Sequence, residues 1–166
     1  MKLNSLHELL VSELQDLLSA ERQLLKILPK IIKCASHEEL REALQEHLQE
    51  TTRQEQRLEQ CFQKMGIPAK AGRSHGMIGL VSAWMEVEAA EALPDVRDAA
   101  IIASVQRMEH YEIAGYGCAR AFAQVLEENE VAALLLESLK EEEESDRNLT
   151  HLAQTVINTE AELHSR

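Results

Sequence analysis

At 166 residues and 45% hydrophobic, the chain is long enough to bury one core and too apolar to be disordered. Aromatics make up 3%, with 6 Gly and 3 Pro in a background rich in Leu, Ala, Glu and Gln, a composition that disfavours a sheet and favours helices. The formal net charge of −12 argues against nucleic acid or an anionic lipid surface as partner, because such a surface repels both.

No segment approaches the ~18 apolar residues that a membrane span requires. The start, Met1-Lys2-Leu3-Asn4-Ser5-Leu6, carries no apolar run. Cys34, Cys61 and Cys118 are odd in number, fit no zinc spacing and lie within helical apolar patterns. They read as reduced, mostly buried thiols. The expectation is a soluble, cytoplasmic protein in which residues 1–166 form a single domain, with no membrane and no nucleic-acid partner.

The first predicted helix runs from about Ser5 to Ala35, on Leu6, Leu10, Leu14, Leu17, Leu18, Leu24, Leu25, Leu28, Ile31 and Ile32. Pro29 predicts a kink or a second short helix near its end. Ser36 with Glu39 reads as a capping box that opens the second helix, which continues to Met65 and stops at Gly66 and Pro68. A polar loop through Lys70, Gly72, Arg73, Ser74, His75 and Gly76 follows. A shorter amphipathic helix is expected from about Met77 to Leu93, with Leu80, Val81, Trp84, Met85 and Val87. Pro94 and Asp95 open a long helix to about Glu128, with the stripe Ile102, Val105, Met108, Tyr116, Ala119, Phe122, Val125 and Leu126. Asn129 marks a tight turn. The last helix runs from about Glu130 to Leu163, on Leu135, Leu136, Leu139, Leu149, Leu152 and Val156.

Short links join the first two long helices and the last two, so each pair is an antiparallel hairpin. About thirty residues separate the hairpins, enough to cross a bundle whose helices are about 45 Å long. The predicted fold is all-α: a ferritin-like four-helix bundle of two antiparallel hairpins with a long crossover that contains an additional short helix. A helical array with the short helix as a fifth core member is the alternative.

Acids fall where the apolar stripes predict core residues. Glu21 lies between Leu17, Leu18 and Leu24, Leu25. Glu50 lies on the line through Ala43, His47, Gln54 and Leu58. Glu109 and Glu112 continue Ile102 and Val105 toward Tyr116. Glu142 and Asp146 continue Leu135 and Leu139 toward Leu149. A buried carboxylate is costly unless it is paired, protonated or bound to a cation. Acids from four helices at similar height would repel one another, and two divalent cations, iron or manganese, would relieve that repulsion. A chain this acidic places some acids on a stripe by chance, and the run Glu141 to Glu144 guarantees one on the last helix; Glu141 and Glu143 read as solvent-facing. The Glu-x-x-His signature of di-iron bundles is absent, since Arg53 and Ser145 stand where the histidines would be. His47, three residues before Glu50, is placed to face the same site, whereas His110 lies about 100° off the face of Glu109. No phosphate-binding glycine loop and no Ser or Cys with a histidine on its face is present.

The chain resembles the YciE/YciF-type bacterial stress proteins, a branch of the ferritin-like superfamily. The resemblance rests on Ser19-Ala20-Glu21-Arg22-Gln23-Leu24-Leu25, His47-Leu48-Gln49-Glu50-Thr51, Val96-Arg97-Asp98-Ala99-Ala100, Glu109-His110-Tyr111-Glu112-Ile113-Ala114, and Glu141-Glu142 with Asp146. It implies a four-helix bundle with an added helix, a homodimer and a rubrerythrin-like carboxylate site. In that site Glu21 and Glu112 would be terminal ligands, Glu50, Glu109 and Glu142 would bridge, and Asp146 would be a ligand or second-sphere acceptor. The chain departs from the usual pattern at Gln49 and at Arg53, a cation placed to pair with Glu50. The chemistry suited to such a site is metal-dependent oxidation, of peroxide or ferrous iron. The competing reading is a non-enzymatic structural or interaction bundle whose core acids hold protons or salt bridges to Arg53, Arg57 or Arg107.

Overall fold

The computed structural model describes residues 3–164, and among them every regular element is helical. In chain order these are α1 (Leu6–Cys34), α2 (Glu38–Lys64), α3 (His75–Ala89), α4 (Pro94–Val125) and α5 (Asn129–Leu152); a widened π turn (Ala153–Ile157) leads into α6 (Asn158–His164). Ser5 starts α1 by accepting the Glu8 N–H on its hydroxyl. Pro29 lies inside one continuous α1 and makes no break. Ile27, Leu28 and Ile31 on either side of it are all buried, and that packing outweighs the lost backbone hydrogen bond.

The start of α2 differs from the capping-box expectation. His37, not Ser36, precedes the helix, and neither serine nor Glu39 caps it. Asp98 of α4 does so instead: its two carboxylate oxygens accept the backbone N–H groups of Ser36 and His37, each at 2.8 Å. Asp98 is itself buried, so the two hairpins are pinned together at this corner. Asp98→Ala leaves both donors without acceptors and is expected to destabilise the fold by about 2–3 kcal/mol. That corresponds to a thermal midpoint roughly 4–10 °C lower for a chain of this size. A midpoint unchanged in calorimetry would show that water replaces the carboxylate.

Two apolar clusters fill the interior. One joins Leu28 and Ile31 of α1 with Leu40 and Leu44 of α2, Ile101 and Val105 of α4, and Leu149 of α5. The other joins Leu10 and Leu14 of α1 with Leu58 and Phe62 of α2, Ala119 and Ala123 of α4, and Val131 and Leu135 of α5. Late α1 thus meets early α2 and early α4, and early α1 meets their far ends. So α1 is antiparallel to both. Each long helix packs on two others, α1 on α2 and α4, and α5 on α4 and α2. Because α2 and α4 run the same way across the diagonal, the segment between them must travel the full length of the bundle.

That crossover is tied down along its path. The Gly72 N–H donates to the Gln15 carbonyl at 2.8 Å, and the Ser74 N–H donates to the Ser19 hydroxyl at 3.0 Å. Met77 and Trp84 of α3 bury fully in the first cluster. Gly76 lies so close to the Tyr111 ring that a Cβ there would come within 2.3 Å of it, which is why a side chain is excluded at this position. The short helix ends at Ala89 rather than near Leu93, and Arg97 donates to the carbonyls of Val87, Glu88 and Ala90 that end it. The turn before α5 is made by Glu127 at φ 61°, and Val125, placed in the core stripe by spacing, is 72% exposed. The thiols are free: Cys61 is buried, Cys34 half-buried, and Cys118 exposed rather than buried.

Candidate metal centre

Between the two apolar clusters lies a layer of buried polar side chains. Glu21 comes from α1, His47, Thr51 and Gln54 from α2, Glu109 and Glu112 from α4, and Ser138 and Glu142 from α5; none is more than 1% exposed. The periodicity explains the placement. Each long helix keeps one apolar face above and below, and the layer residues continue that face through the middle.

Some of these groups are held by partners. The Tyr116 hydroxyl donates to Glu21 Oε1, and the Ser145 hydroxyl donates to Glu109 Oε1. Gln54 Nε2 donates to Glu142 Oε1 at 2.7 Å. Thr51 donates to the His47 carbonyl at 2.9 Å, and Ser138 accepts from Arg57 at 3.4 Å. Among the described residues nothing hydrogen-bonds to Glu21 Oε2, Glu109 Oε2, Glu142 Oε2, both oxygens of Glu112, both ring nitrogens of His47 or Gln54 Oε1, all of them buried. Native interiors rarely tolerate such a concentration of orphaned polar atoms, and each needs an explanation. One ligand atom each from His47, Glu109 and Glu142 lies within 4.8 Å of the other two.

Burial sets the protonation states. Removal from water pushes the Glu109 carboxyl up to about 8, aided by Asp146 and Glu50 and opposed by its Ser145 hydrogen bond. Glu112 and Glu142 rise well above the carboxylate range, first by burial and then by the charges around them, Glu21 in both cases. Glu21 also rises by burial, tempered by the Tyr116 hydrogen bond. Burial lowers His47 to about 4, so its imidazole is neutral at physiological pH, the form that binds a metal. Among the described residues no Lys or Arg pairs with Glu21, Glu109, Glu112 or Glu142. Arg57 instead clasps Glu141 in a bidentate pair at 2.6 and 2.7 Å. That pair corrects the reading of Glu141 as a solvent-facing acid, since only a fifth of its side chain is exposed. Arg107 is exposed and lies away from the layer, beside His110 in a surface groove.

The sequence-derived set therefore divides. Glu21, Glu109, Glu112 and Glu142 converge in the layer. Glu50 is half-buried at its rim, 3.8 Å from Arg53, with its carboxyl pushed up to about 7 by burial and by Glu141 and Glu46. Asp146 lies at the outer edge, accepting from Gln106 at 2.9 Å and standing 3.4 Å from the exposed His110. The buried line on α2 is Leu40, Leu44, His47, Thr51, Gln54 and Leu58. Counting from Leu40 and Leu44 would have put Thr51 inward and Glu50 aside. Tyr116 and Ser145 were visible in the sequence but had no feature marking them as partners of Glu21 and Glu109.

Comparison with known proteins places the chain in a family and supports its fold. The curated protein YciF of Escherichia coli (strain K12) is 37% identical over 163 residues, 98% of each chain. The crystal structure of the E. coli stress protein YciF superposes with a TM-score of 0.90 at 36% identity, covering 94% of this chain and 99% of that one. The YcfI protein of Rhodopseudomonas palustris follows at 0.87 and 36%, covering 89% and 94%. A Xanthomonas campestris pv. campestris protein shares the fold at 22% identity, with a TM-score of 0.78. The domain of unknown function DUF892 matches residues 5–162. The chain belongs to the DUF892 family, the group of the YciF stress protein, as the motifs around Glu21, Glu50 and Glu109 indicated.

Proposed function

We propose that this chain is a ferritin-like stress protein whose central polar layer holds divalent iron or manganese. The observation that carries the reading is the buried convergence of His47, Glu109 and Glu142, in which both His47 nitrogens and one oxygen of each carboxylate have no hydrogen-bond partner among the described residues. A neutral imidazole with carboxylates is a donor set suited to these cations. His47, Glu109 and Glu142 would hold one ion, and Glu21 and Glu112 would supply carboxylates for a second. Glu50 would approach from the rim, and Asp146 would act at a distance through Gln106 and His110. The ring of helices, with its two parallel diagonal members and long crossover, is the arrangement that ferritin-like bundles use for such centres.

Bound iron or manganese would supply one-electron redox chemistry, suited to handling peroxide or oxidising ferrous iron. The chain's own contribution is positional. Tyr116, Ser145 and Gln54 each fix one carboxylate oxygen, leaving the other directed into the layer. The apolar clusters above and below keep water out. The second reading, a bundle that binds no metal, is supported by the raised carboxyl pKa values, because protons relieve the same repulsion.

Metal analysis of protein purified without chelator separates the two. One to two equivalents of iron or manganese per chain are expected, or the same after adding Mn²⁺ to metal-free protein. Protein that holds neither ion at micromolar concentrations would overturn the metal reading. The assembly we propose is a homodimer through the outer face of α3, where Ile78 and Met85 are exposed. A monomer by light scattering would overturn that part.

A further inference from the structure

Between α2 and α5 the bundle wall opens into a cavity of about 40 Å³, lined by Ala43, Glu46, Glu50, Glu144, Ser145 and Asn148. We propose that this cavity is the mouth through which a divalent cation passes from solvent to the buried layer, received first by Glu46 and Glu144. The inference rests on the metal-centre reading and adds the route.

Ser145 connects the two places. It forms part of the cavity wall, and its hydroxyl donates to Glu109. Glu109, which accepts that hydrogen bond, has its Oε2 buried without a partner among the described residues; both ring nitrogens of His47 are buried in the same way, and its Nδ1 is 3.9 Å from the Glu109 carboxylate. The other seams at this height each carry a cross-link. Arg22 bridges α1 to Glu55 and Glu59 of α2 at 2.7 and 2.9 Å. Gln106 of α4 spans to Asp146 and Thr150 of α5. On the α1–α4 side a cavity is lined by Glu13 and Asp16, and there Asp16 is engaged, accepting from both Tyr111 and Ser74. Two turns beyond Glu50 on α2, the Arg57–Glu141 pair bridges the same seam. Two of these cross-links present arginine, which repels a cation; the mouth presents three carboxylates.

The cavity admits about one water, so an ion that crosses it sheds part of its hydration shell, and carboxylate oxygens replace what it loses. Arg53 and Arg147 approach Glu50 and Glu144 from outside, with side chains 48% and 62% exposed. The Arg147–Glu144 pair is exposed on both sides, where water screens it, so an arriving divalent ion displaces it.

The test is loading kinetics. Metal-free protein is mixed with Co²⁺ in a stopped-flow instrument, and its visible absorption is followed. Glu46→Gln with Glu144→Gln should slow second-order loading by about tenfold and leave the final absorbance unchanged. Both residues are exposed, so folding is not at risk. Glu86→Gln with Glu91→Gln removes the same charge from α3 and the loop beyond it, and should keep the rate within about twofold. Equal rates in the two variants, with full final absorbance, would overturn the mouth and leave the centre standing. A reduced final absorbance in the Glu46/Glu144 variant would also overturn it, by making those residues ligands. No Co²⁺ uptake by the unaltered protein at equilibrium would overturn centre and route together.

Discussion

Replacing Glu109 and Glu112 together with Gln is expected to abolish the thermal stabilisation that divalent metal confers. A ligand at 100 times its dissociation constant stabilises the folded state by about 2.7 kcal/mol. For a chain of this length that raises the midpoint by roughly 5–10 °C. Glutamine keeps the shape and the hydrogen-bonding capacity but removes two of the converging charges, so metal has less to bind. The metal-free variant should be as stable as the parent or more so. The two carboxyls stand in a layer with Glu21 and Glu142, and burial and mutual repulsion already hold them above the carboxylate range. Glu143→Gln, on the same helix as Glu142 but outside the buried layer, should leave the metal-dependent gain intact. Calorimetry with and without Mn²⁺ reads all of these outcomes. If the double variant keeps the parent's metal response, the layer is not the binding site.

The second large effect concerns pH. In the metal-free protein, stability should fall as pH rises above neutrality. Glu109 titrates near 4.5 when unfolded and near 8 when folded. Below the lower value both states are protonated and the stabilisation is complete. Between the two values only the unfolded state ionises, so stability is lost progressively until the folded-state value is reached. His47 acts in the opposite sense: its imidazole falls from 6.5 to about 4 on folding, so its contribution is complete above 6.5 and is lost toward 4. The window from 6.5 to 8 therefore isolates the carboxylates. Across it Glu109 alone accounts for about 2 kcal/mol, or roughly 4–8 °C in midpoint. Glu21, Glu112 and Glu142 act in the same direction. Saturating Mn²⁺ should flatten the profile, because the metal takes the place of the protons and binds more tightly as they leave. A metal-free midpoint that is level or rising from 6.5 to 8 would show that these carboxyls are solvated and not buried among apolar neighbours.

The sequence by itself determined much of this protein. Three-and-four spacing of Leu and Ile located the four long helices, and Gly66, Pro68 and Pro94 bounded the crossover, because helix periodicity and the missing proline N–H are local properties. Glu21, Glu109, Glu112 and Glu142 were legible as inward acids for the same reason, since each interrupts an apolar stripe that is itself strongly inward. Tertiary structure decided the rest. Whether Glu50 or Thr51 faces inward depends on the rotation of α2 about its axis, which packing of Leu40, Leu44 and Leu58 against the other helices sets. The cap on α2 comes from Asp98, sixty-one residues beyond His37, so no local motif could announce it. The continuity of α1 through Pro29 was decided by burial on both sides of the ring, which outweighs one lost hydrogen bond. The partners that hold the layer, Tyr116 to Glu21, Ser145 to Glu109 and Gln54 to Glu142, each join different helices. Such pairs exist only once the helices are brought side by side, because a hydrogen bond needs atoms within about 3 Å, whatever their separation along the chain.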